Sequence, residues 1–419
     1  MSFISDFNKT KKELPNLLIV AGTAFSSEGL GADKALFNLF DLYPNEKLCL
    51  FIPRTSRLKS QPTSPPFNKR AITFPKSYFP YLYNRFGKFI NPLLNQINHQ
   101  LLSWLPINDL SKIQSFSPEI ILICPHVPWD LAMEQKVTEY FKCPFIVYFM
   151  DDWVLDKDKN LHWLTGNVQL CTHDILKRAK AWLMISNQLK EALSTRYQLS
   201  PPKTMIINTA IDLSNIEAPD FKVDYKGIFK IIYSGSIWPM HYDAIEAVAK
   251  AVFQLQNQGN KIELTIQTKK EHWEYYKHKL YILKVNFQES VLYQELNKSL
   301  KQANLLLVAS SFLIEQESYT RSSIQSKIFQ YMATGKPILS CGPEYSVCNK
   351  FISQWNCGLT CTTNETEKIK SLLLNLMKDR ETIQRYAITA YQILKDNFEK
   401  TKLCTELYNF ILSVKESSD

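Results

Sequence analysis

The sequence lacks any apolar run long enough to cross a membrane. Its longest uninterrupted apolar stretches, residues 145–150 and 120–124 among them, fall far short of the roughly 20 residues that a spanning helix needs. The N-terminal residues MSFISDFNKTKKELPN contain no apolar stretch of the kind found in a secretory signal. We therefore expect no membrane span, no secretory signal and a cytoplasmic location.

Closely spaced cysteine pairs are also absent. The nine cysteines are spread over the whole chain without a CxxC motif, which predicts reduced and mostly buried thiols. Cys171, His173, Cys357 and Cys361 are the residues to weigh as zinc ligands, but the two pairs are far apart in sequence and neither has zinc-finger spacing. We expect no metal site.

The length and composition indicate an ordinary globular protein of more than one domain. The chain has 419 residues, of which 45% are hydrophobic and 21% are charged. These values disfavour a disordered, collagen-like or coiled-coil protein. At roughly 100 to 200 residues per domain, two or three domains are expected.

Acidic residues are missing from one stretch of the chain. Residues 54–88 contain eight lysines and arginines, many aromatic residues and no aspartate or glutamate, and the net charge of the whole protein is +9. An apolar pattern at helical spacing follows, up to Trp104. Residues 54–105 therefore suit an anionic membrane surface, or equally a solvated basic loop followed by a core-packed helix. No nucleic-acid-binding motif accompanies the basic residues, so we expect no nucleic-acid partner.

Short β-branched and apolar runs alternate with helix-period segments along most of the chain. This alternation predicts an α/β fold with parallel sheets and crossover helices. The predicted strands are 17–22, 47–52, 71–74, 119–125, 144–150, 181–186 and 205–209 in one series, and 230–236, 261–267, 284–288, 304–309, 337–341 and 358–362 in a second. Two series predict two doubly wound Rossmann-like domains, with ligands at the carboxyl ends of the strands in a cleft between the domains.

The domain boundaries follow from the same pattern. Residues 1–210 form the expected first domain and the polar, turn-rich residues 211–227 the expected linker. Residues 228–385 form the expected second domain. Residues 386–419 continue a helical pattern that we expect to pack back over the domain junction.

A glycine-bearing loop follows the first predicted strand. Gly29 and Gly31 lie just before a predicted helix at residues 35–40, and glycines there would let the backbone approach an anion. Such loops are common in α/β proteins, so an ordinary structural turn is the simpler interpretation.

The most specific motif is the segment QSKIFQYMATGKPILS at residues 325–340. Its spacing predicts a short helix from about Ser326 that stops at Gly335 and is followed by a strand from Pro337. The segment resembles the donor-binding helix of GT-B glycosyltransferases of the family-four (group 1) type. Residues 229–251 and 204–212 resemble the first strand and helix of that family's second domain and the entry to that domain.

The resemblance implies transfer of a sugar from a nucleotide diphosphate sugar to a glycan or lipid-linked acceptor, without a metal or other cofactor. Cell-surface polysaccharide synthesis, peripheral to the inner membrane face, would be the setting. It places the acceptor in the first domain, near the candidate catalytic residues His126, Asp151 and Asp152. It places the donor mainly in the second domain. Together with two glycines of the first loop, the candidate donor-binding residues are Gly29, Gly31, Gly235, Ser236, His241, Lys269, Arg321, Ser322, Lys327 and Gln330.

The sequence departs from this family at several of those positions. Ser322 and Gln330 stand where the family has two glutamates, and Ser236 and His241 stand where it has an arginine and a lysine. We expect His241 to be half charged near pH 6.5 and phosphate binding to weaken as the pH rises. Either Glu315 or Glu317 replaces the missing carboxylates in a divergent enzyme, or the protein is an inactive GT-B-like scaffold. A two-domain nucleotide-sugar epimerase would share the architecture.

Overall fold

The computed structural model describes residues 13–23, 25–27, 31–53, 70–74, 87–104, 110–126, 130–152, 166–214, 216–221 and 227–417. The chain divides into two compact units. The first unit comprises residues 1–207 together with 402–419, and the second comprises residues 208–401.

The first unit is built on a seven-stranded parallel sheet. The strands are β1 (Leu17–Ala21), β2 (Leu48–Pro53), β3 (Arg70–Phe74), β4 (Ile120–Cys124), β5 (Phe145–Phe149), β6 (Ala181–Met184) and β7 (Lys203–Ile206). Their order in the sheet is β3-β2-β1-β4-β5-β6-β7, so the strand order reverses between β1 and β4. The central strands are buried throughout, which explains why they appear in the sequence as unbroken apolar runs.

The second unit repeats the plan with six parallel strands. They are β8 (Phe229–Ser234), β9 (Ile262–Thr268), β10 (Asn286–Glu289), β11 (Leu305–Ala309), β12 (Ile338–Cys341) and β13 (Leu359–Cys361). Their order is β10-β9-β8-β11-β12-β13, which places the reversal between β8 and β11. The prediction of two doubly wound α/β sheets is confirmed.

Helices connect the strands of both sheets. Those of the first unit are α1 (Ala32–Phe40), α2 (Gly87–Trp104), α3 (Leu110–Gln114), α4 (Asp130–Phe141), α5 (Gly166–Arg178) and α6 (Asn187–Tyr197). The second unit contains α7 (Pro239–Asn257), α8 (Lys270–Ile282), α9 (Tyr293–Leu300), α10 (Glu317–Ser322), α11 (Lys327–Met332), α12 (Val347–Gln354), α13 (Thr366–Lys378) and α14 (Arg380–Ile393). The last helix, α15 (Lys400–Glu416), begins at the end of the second unit and continues into the first.

The boundaries of the two units differ from the expected ones. Residue Ile211, placed in the linker, is buried in the second unit, where its backbone N–H donates to the Phe398 carbonyl at 3.0 Å. Residues 386–419 do not form one group, because α14 belongs to the second unit and residues 402–419 belong to the first. Both differences come from contacts between residues that are far apart in sequence.

Most of the basic stretch, residues 54–69 and 75–86, lies outside the described residues. The apolar pattern that follows it forms α2, which packs against α4. Leu93 and Trp104 of α2 are nevertheless exposed, so packing and exposure both occur on this helix. In the described part of the chain, no helix has the length and apolar character to span a bilayer.

Candidate functional site

The carboxyl edge of the second sheet is where the chain order predicts a ligand. Gly235 follows β8 directly, with φ at 131°, a conformation that favours glycine. Its N–H donates to the Gln267 carbonyl at 2.9 Å, which ties the turn to β9. A Cβ at this position would lie 3.0 Å from the Lys327 Nζ atom, so glycine leaves room for the lysine amine.

Helix α11 brings Lys327 to this edge. Ile328, Phe329 and Met332 anchor the helix in the core, and Gly335, with φ at 68°, ends the turn behind it as the sequence predicted. The Lys327 Nζ atom lies 3.7 Å from the centroid of the Tyr233 ring and has no hydrogen-bond partner among the described residues. Burial lowers the pKa of Lys327 to about 7.

His241 does not carry the charge that the sequence suggested. It is buried in α7, and burial, followed by the nearby charge of Lys327, lowers its pKa to about 3. The expectation of a half-charged histidine near pH 6.5 is therefore wrong, and with it the expected loss of phosphate binding through this residue. Its Nδ1 lies 3.2 Å from the Ser236 carbonyl oxygen. Because a carbonyl can only accept, Nδ1 carries the proton and Nε2 presents a lone pair.

Two tyrosines that the sequence analysis did not single out organise the end of β8. The Tyr233 hydroxyl donates to the Ser236 carbonyl at 2.8 Å, the same oxygen that His241 contacts. The Tyr331 hydroxyl accepts the Ser234 N–H at 2.9 Å. Tyr233 lies two residues before Gly235 and Tyr331 lies within the helix motif, and these positions are the only signal in the sequence that could have found them.

Ser322 and Gln330 stand where the family has glutamates, and the two side chains differ in exposure. Ser322 is buried, and its hydroxyl donates to the Ser318 carbonyl at 2.6 Å inside α10. Gln330 is half-buried on α11, and its amide has no hydrogen-bond partner within the described part of the chain. Gln330 can therefore donate to or accept from a ligand hydroxyl.

The other predicted cations of the second unit are arranged differently from Lys327. Lys269 is half-buried at the start of α8, directly after β9. Arg321 is exposed, pairs with Glu317 at 2.6 Å and lies 4.5 Å from the centroid of the Tyr345 ring. Glu317 therefore already compensates the charge of Arg321, whereas Glu315 is exposed.

In the first unit the three predicted catalytic residues follow two neighbouring strands. His126 is half-buried after β4, and Asp151 is half-buried after β5. Asp152 is buried and bound on both oxygens by the Arg196 guanidinium, at 2.8 and 2.6 Å. This bidentate ion pair holds α6 to the end of β5, which accounts for Asp152 without a catalytic role.

The first glycine loop contributes less than the sequence suggested. Gly29 lies outside the described residues. Gly31, with φ at 57°, precedes α1, and a Cβ added there would contact no described residue within 4 Å. Gly22 is the more constrained position, because a side chain there would collide with the Asp130 carboxylate. Asp130 in turn accepts the His126 backbone N–H at 3.2 Å. This link between β1, β4 and α4 joins residues far apart in the chain, so the sequence contains no signal for it.

The known proteins most informative for this arrangement are glycosyltransferases. Residues 228–379, all within the second unit, match the family described as glycosyl transferases group 1. A search of curated proteins with the whole sequence finds no match.

Solved structures match nearly the whole chain at low sequence identity. Anabaena HepE in complex with UDP and glucose is 10% identical, with a TM-score of 0.68 over 95% of this chain and 99% of that one. Sucrose-phosphate synthase from Thermosynechococcus elongatus is 12% identical, with a TM-score of 0.68 over 96% and 100%. WaaG, a glycosyltransferase of lipopolysaccharide biosynthesis, is 12% identical, with a TM-score of 0.61 over 94% and 99%. The chain thus has the GT-B fold, and its second unit carries a group 1 glycosyltransferase domain.

Proposed function

We propose that the protein transfers a sugar from a nucleoside diphosphate sugar to a glycan or lipid-linked acceptor, in the synthesis of a cell-surface polysaccharide. The observation that carries the proposal is the Lys327 amine, which lies beside Gly235 at the carboxyl edge of the second sheet without a protein hydrogen-bond partner in the described residues. The group 1 domain and the UDP and UDP-glucose complexes of HepE support a nucleotide sugar as donor.

The chemistry requires stabilisation of a leaving diphosphate. Negative charge develops on the diphosphate as its bond to the sugar breaks, and a fixed cation aimed at that position lowers the barrier. The protonated Lys327 amine would donate to a diphosphate oxygen in a charge-assisted hydrogen bond. The backbone around Gly235 and Ser236 would hold the adjacent phosphate, and the Gln330 amide would bind a ribose hydroxyl. We propose that these residues act without a metal ion, with retention at the sugar carbon.

The first unit would hold the acceptor. His126 and Asp151, at the carboxyl ends of β4 and β5, are the proposed positioning or proton-accepting groups there. We place the protein in the cytoplasm, and the basic residues 54–88 would bring it to an anionic membrane carrying a lipid-linked acceptor. Flotation with anionic liposomes tests this: neutralising these charges should abolish flotation, and an unchanged partition would contradict the membrane role.

Titration calorimetry tests the donor site directly. Lys327→Met should weaken binding of UDP-glucose about 10- to 100-fold, because a charge-assisted hydrogen bond is worth about 1.5–3 kcal/mol. Lys261→Met, which removes an exposed lysine at the opposite edge of the sheet, should leave the affinity unchanged. Equal affinities of the Lys327→Met variant and the wild type would refute the assignment. UDP-, GDP- and ADP-sugars tested in parallel identify the base.

The alternative, an inactive GT-B-like binding protein, has one observation in its favour. The two carboxylates typical of the family are replaced by Ser322 and Gln330, and the Ser322 hydroxyl is engaged within its own helix. Release of nucleoside diphosphate from the bound donor in the presence of acceptor extracts separates the two functions. Binding without release would favour the inactive protein.

A further inference from the structure

The Lys327 amine is buried without a compensating charge. Its Nζ atom is shielded from solvent between the Tyr233 ring and Gly235, and no carboxylate of the described residues pairs with it. Burying an ammonium group without a partner costs several kcal/mol, which a protein can avoid by releasing the proton. Without a bound ligand, the site therefore lacks the full positive charge of a protonated lysine.

Among the described residues, the titratable groups that face this amine are neutral near pH 7. Tyr233 comes from β8, His241 from α7 and Cys348 from α12. Burial raises the pKa of Tyr233 well above its usual value and also raises that of Cys348, while it lowers the pKa of His241 to about 3. Of the three, only Cys348 could raise the pKa of Lys327 through a negative charge, and its own raised pKa keeps the thiol protonated near pH 7. A bound anion is therefore the group that can hold a proton on Lys327.

We propose that a nucleoside diphosphate sugar binds to this site together with a proton, which Lys327 takes up from solvent as the diphosphate arrives. The proposal rests on the proposed donor site and adds how that site acquires its charge. In the free protein the Lys327 amine lies over the face of the Tyr233 ring. In the complex the diphosphate oxygens supply both the hydrogen-bond acceptors and the negative charge that the pocket lacks.

Because ligand binding and proton binding are linked, the pKa of Lys327 determines how the affinity changes with pH. Because the pKa of Lys327 is about 7 in the free protein, half of the molecules carry the proton at pH 7 and few do at pH 8 or above. If only the protonated form binds tightly, affinity is constant well below pH 7 and falls about tenfold per pH unit above it. Proton uptake approaches about one proton per ligand at pH 8.

Calorimetry with UDP-glucose measures both quantities. Each phosphate of this ligand is linked on two sides, so the diphosphate lacks the ionisation near pH 6 of a terminal phosphate and adds no titration of its own between pH 6 and pH 8. Titrations at pH 6–9, in two buffers of different ionisation enthalpy, give the affinity profile and the number of protons taken up. Wild-type protein should show uptake close to one proton at pH 8.

Lys327→Arg is the matched control, because a guanidinium keeps its charge throughout this range. Its affinity should be independent of pH between 7 and 9, with no proton uptake. Wild-type binding that is flat with pH and takes up no proton would overturn the inference while leaving the donor site intact. Uptake that persists in Lys327→Arg would assign the proton to another group and also overturn it. Absence of binding at every pH would instead refute the proposed function.

Discussion

Lys327 and His241 show how burial decides the charge of a side chain. The resemblance to the glycosyltransferase motif implies that both are donor-binding residues, and the structure brings both to the end of β8. Exclusion of solvent lowers both pKa values, so Lys327 is poised near neutrality and His241 is uncharged. The residue positions could be predicted from motif spacing. Their charges could not, because a pKa depends on the neighbours that folding assembles.

Burial of the neutral His241 side chain should make the stability of the protein depend on pH. The folded state cannot protonate it until about pH 3, whereas the unfolded chain protonates it near its usual pKa of 6.5. The neutral, buried His241 therefore makes its full contribution to the free energy of unfolding above pH 6.5. This contribution is lost as the pH falls from 6.5 toward 3, by about 1.4 kcal/mol per pH unit.

Urea unfolding at pH 7 and pH 5 tests this contribution. His241→Gln should lose less stability than the wild type over this interval. His278→Gln, which replaces an exposed histidine on α8, should behave like the wild type. Equal losses in the wild type and His241→Gln would contradict a neutral, buried His241.

The secondary-structure elements were the most predictable level. Each predicted strand forms, and the central strands were the clearest because buried parallel strands produce continuous apolar runs. Helix α11 begins and ends close to the predicted residues. The glycine stop was predicted from helix-capping rules. What the sequence could not show is the second constraint on Gly335, whose missing side chain leaves room for Pro219, a residue far away in the chain.

Gly335→Ala should therefore be more destabilising than an ordinary glycine substitution. The left-handed backbone costs about 1 kcal/mol for alanine, and the collision with Pro219 adds about 1–3 kcal/mol. Gly259→Ala is the matched control, because Gly259 also has a positive φ, at 85°, but has open space around it. Denaturant unfolding should show the larger loss for Gly335→Ala, and equal losses would contradict the packing against Pro219.

At the scale of the whole molecule, the least predictable feature is where the C-terminal residues belong. The Tyr408 hydroxyl of α15 donates to the Leu39 carbonyl at 3.0 Å, and the centroid of its ring lies 5.1 Å from that of Tyr43. The last residues of the chain therefore complete the first unit. The helical period of this segment was visible in the sequence. Its partner was not, because the contact joins opposite ends of the chain.

Tyr408→Ala should destabilise the first unit by about 3–5 kcal/mol, because it removes a large buried aromatic side chain. Tyr408→Phe keeps the ring and should lose only about 1 kcal/mol with its hydrogen bond. Calorimetry should show the transition of the first unit moving while that of the second stays. A shift confined to the second unit would contradict the assignment of α15.

The proposed function depends on Lys327 holding the diphosphate of a nucleotide sugar at the carboxyl edge of the second sheet. A crystal structure of the protein with UDP-glucose measures this directly. A diphosphate oxygen should lie about 3 Å from the Lys327 Nζ atom, beside Gly235. A ligand bound elsewhere, with the Lys327 amine still resting on the Tyr233 ring, would contradict it.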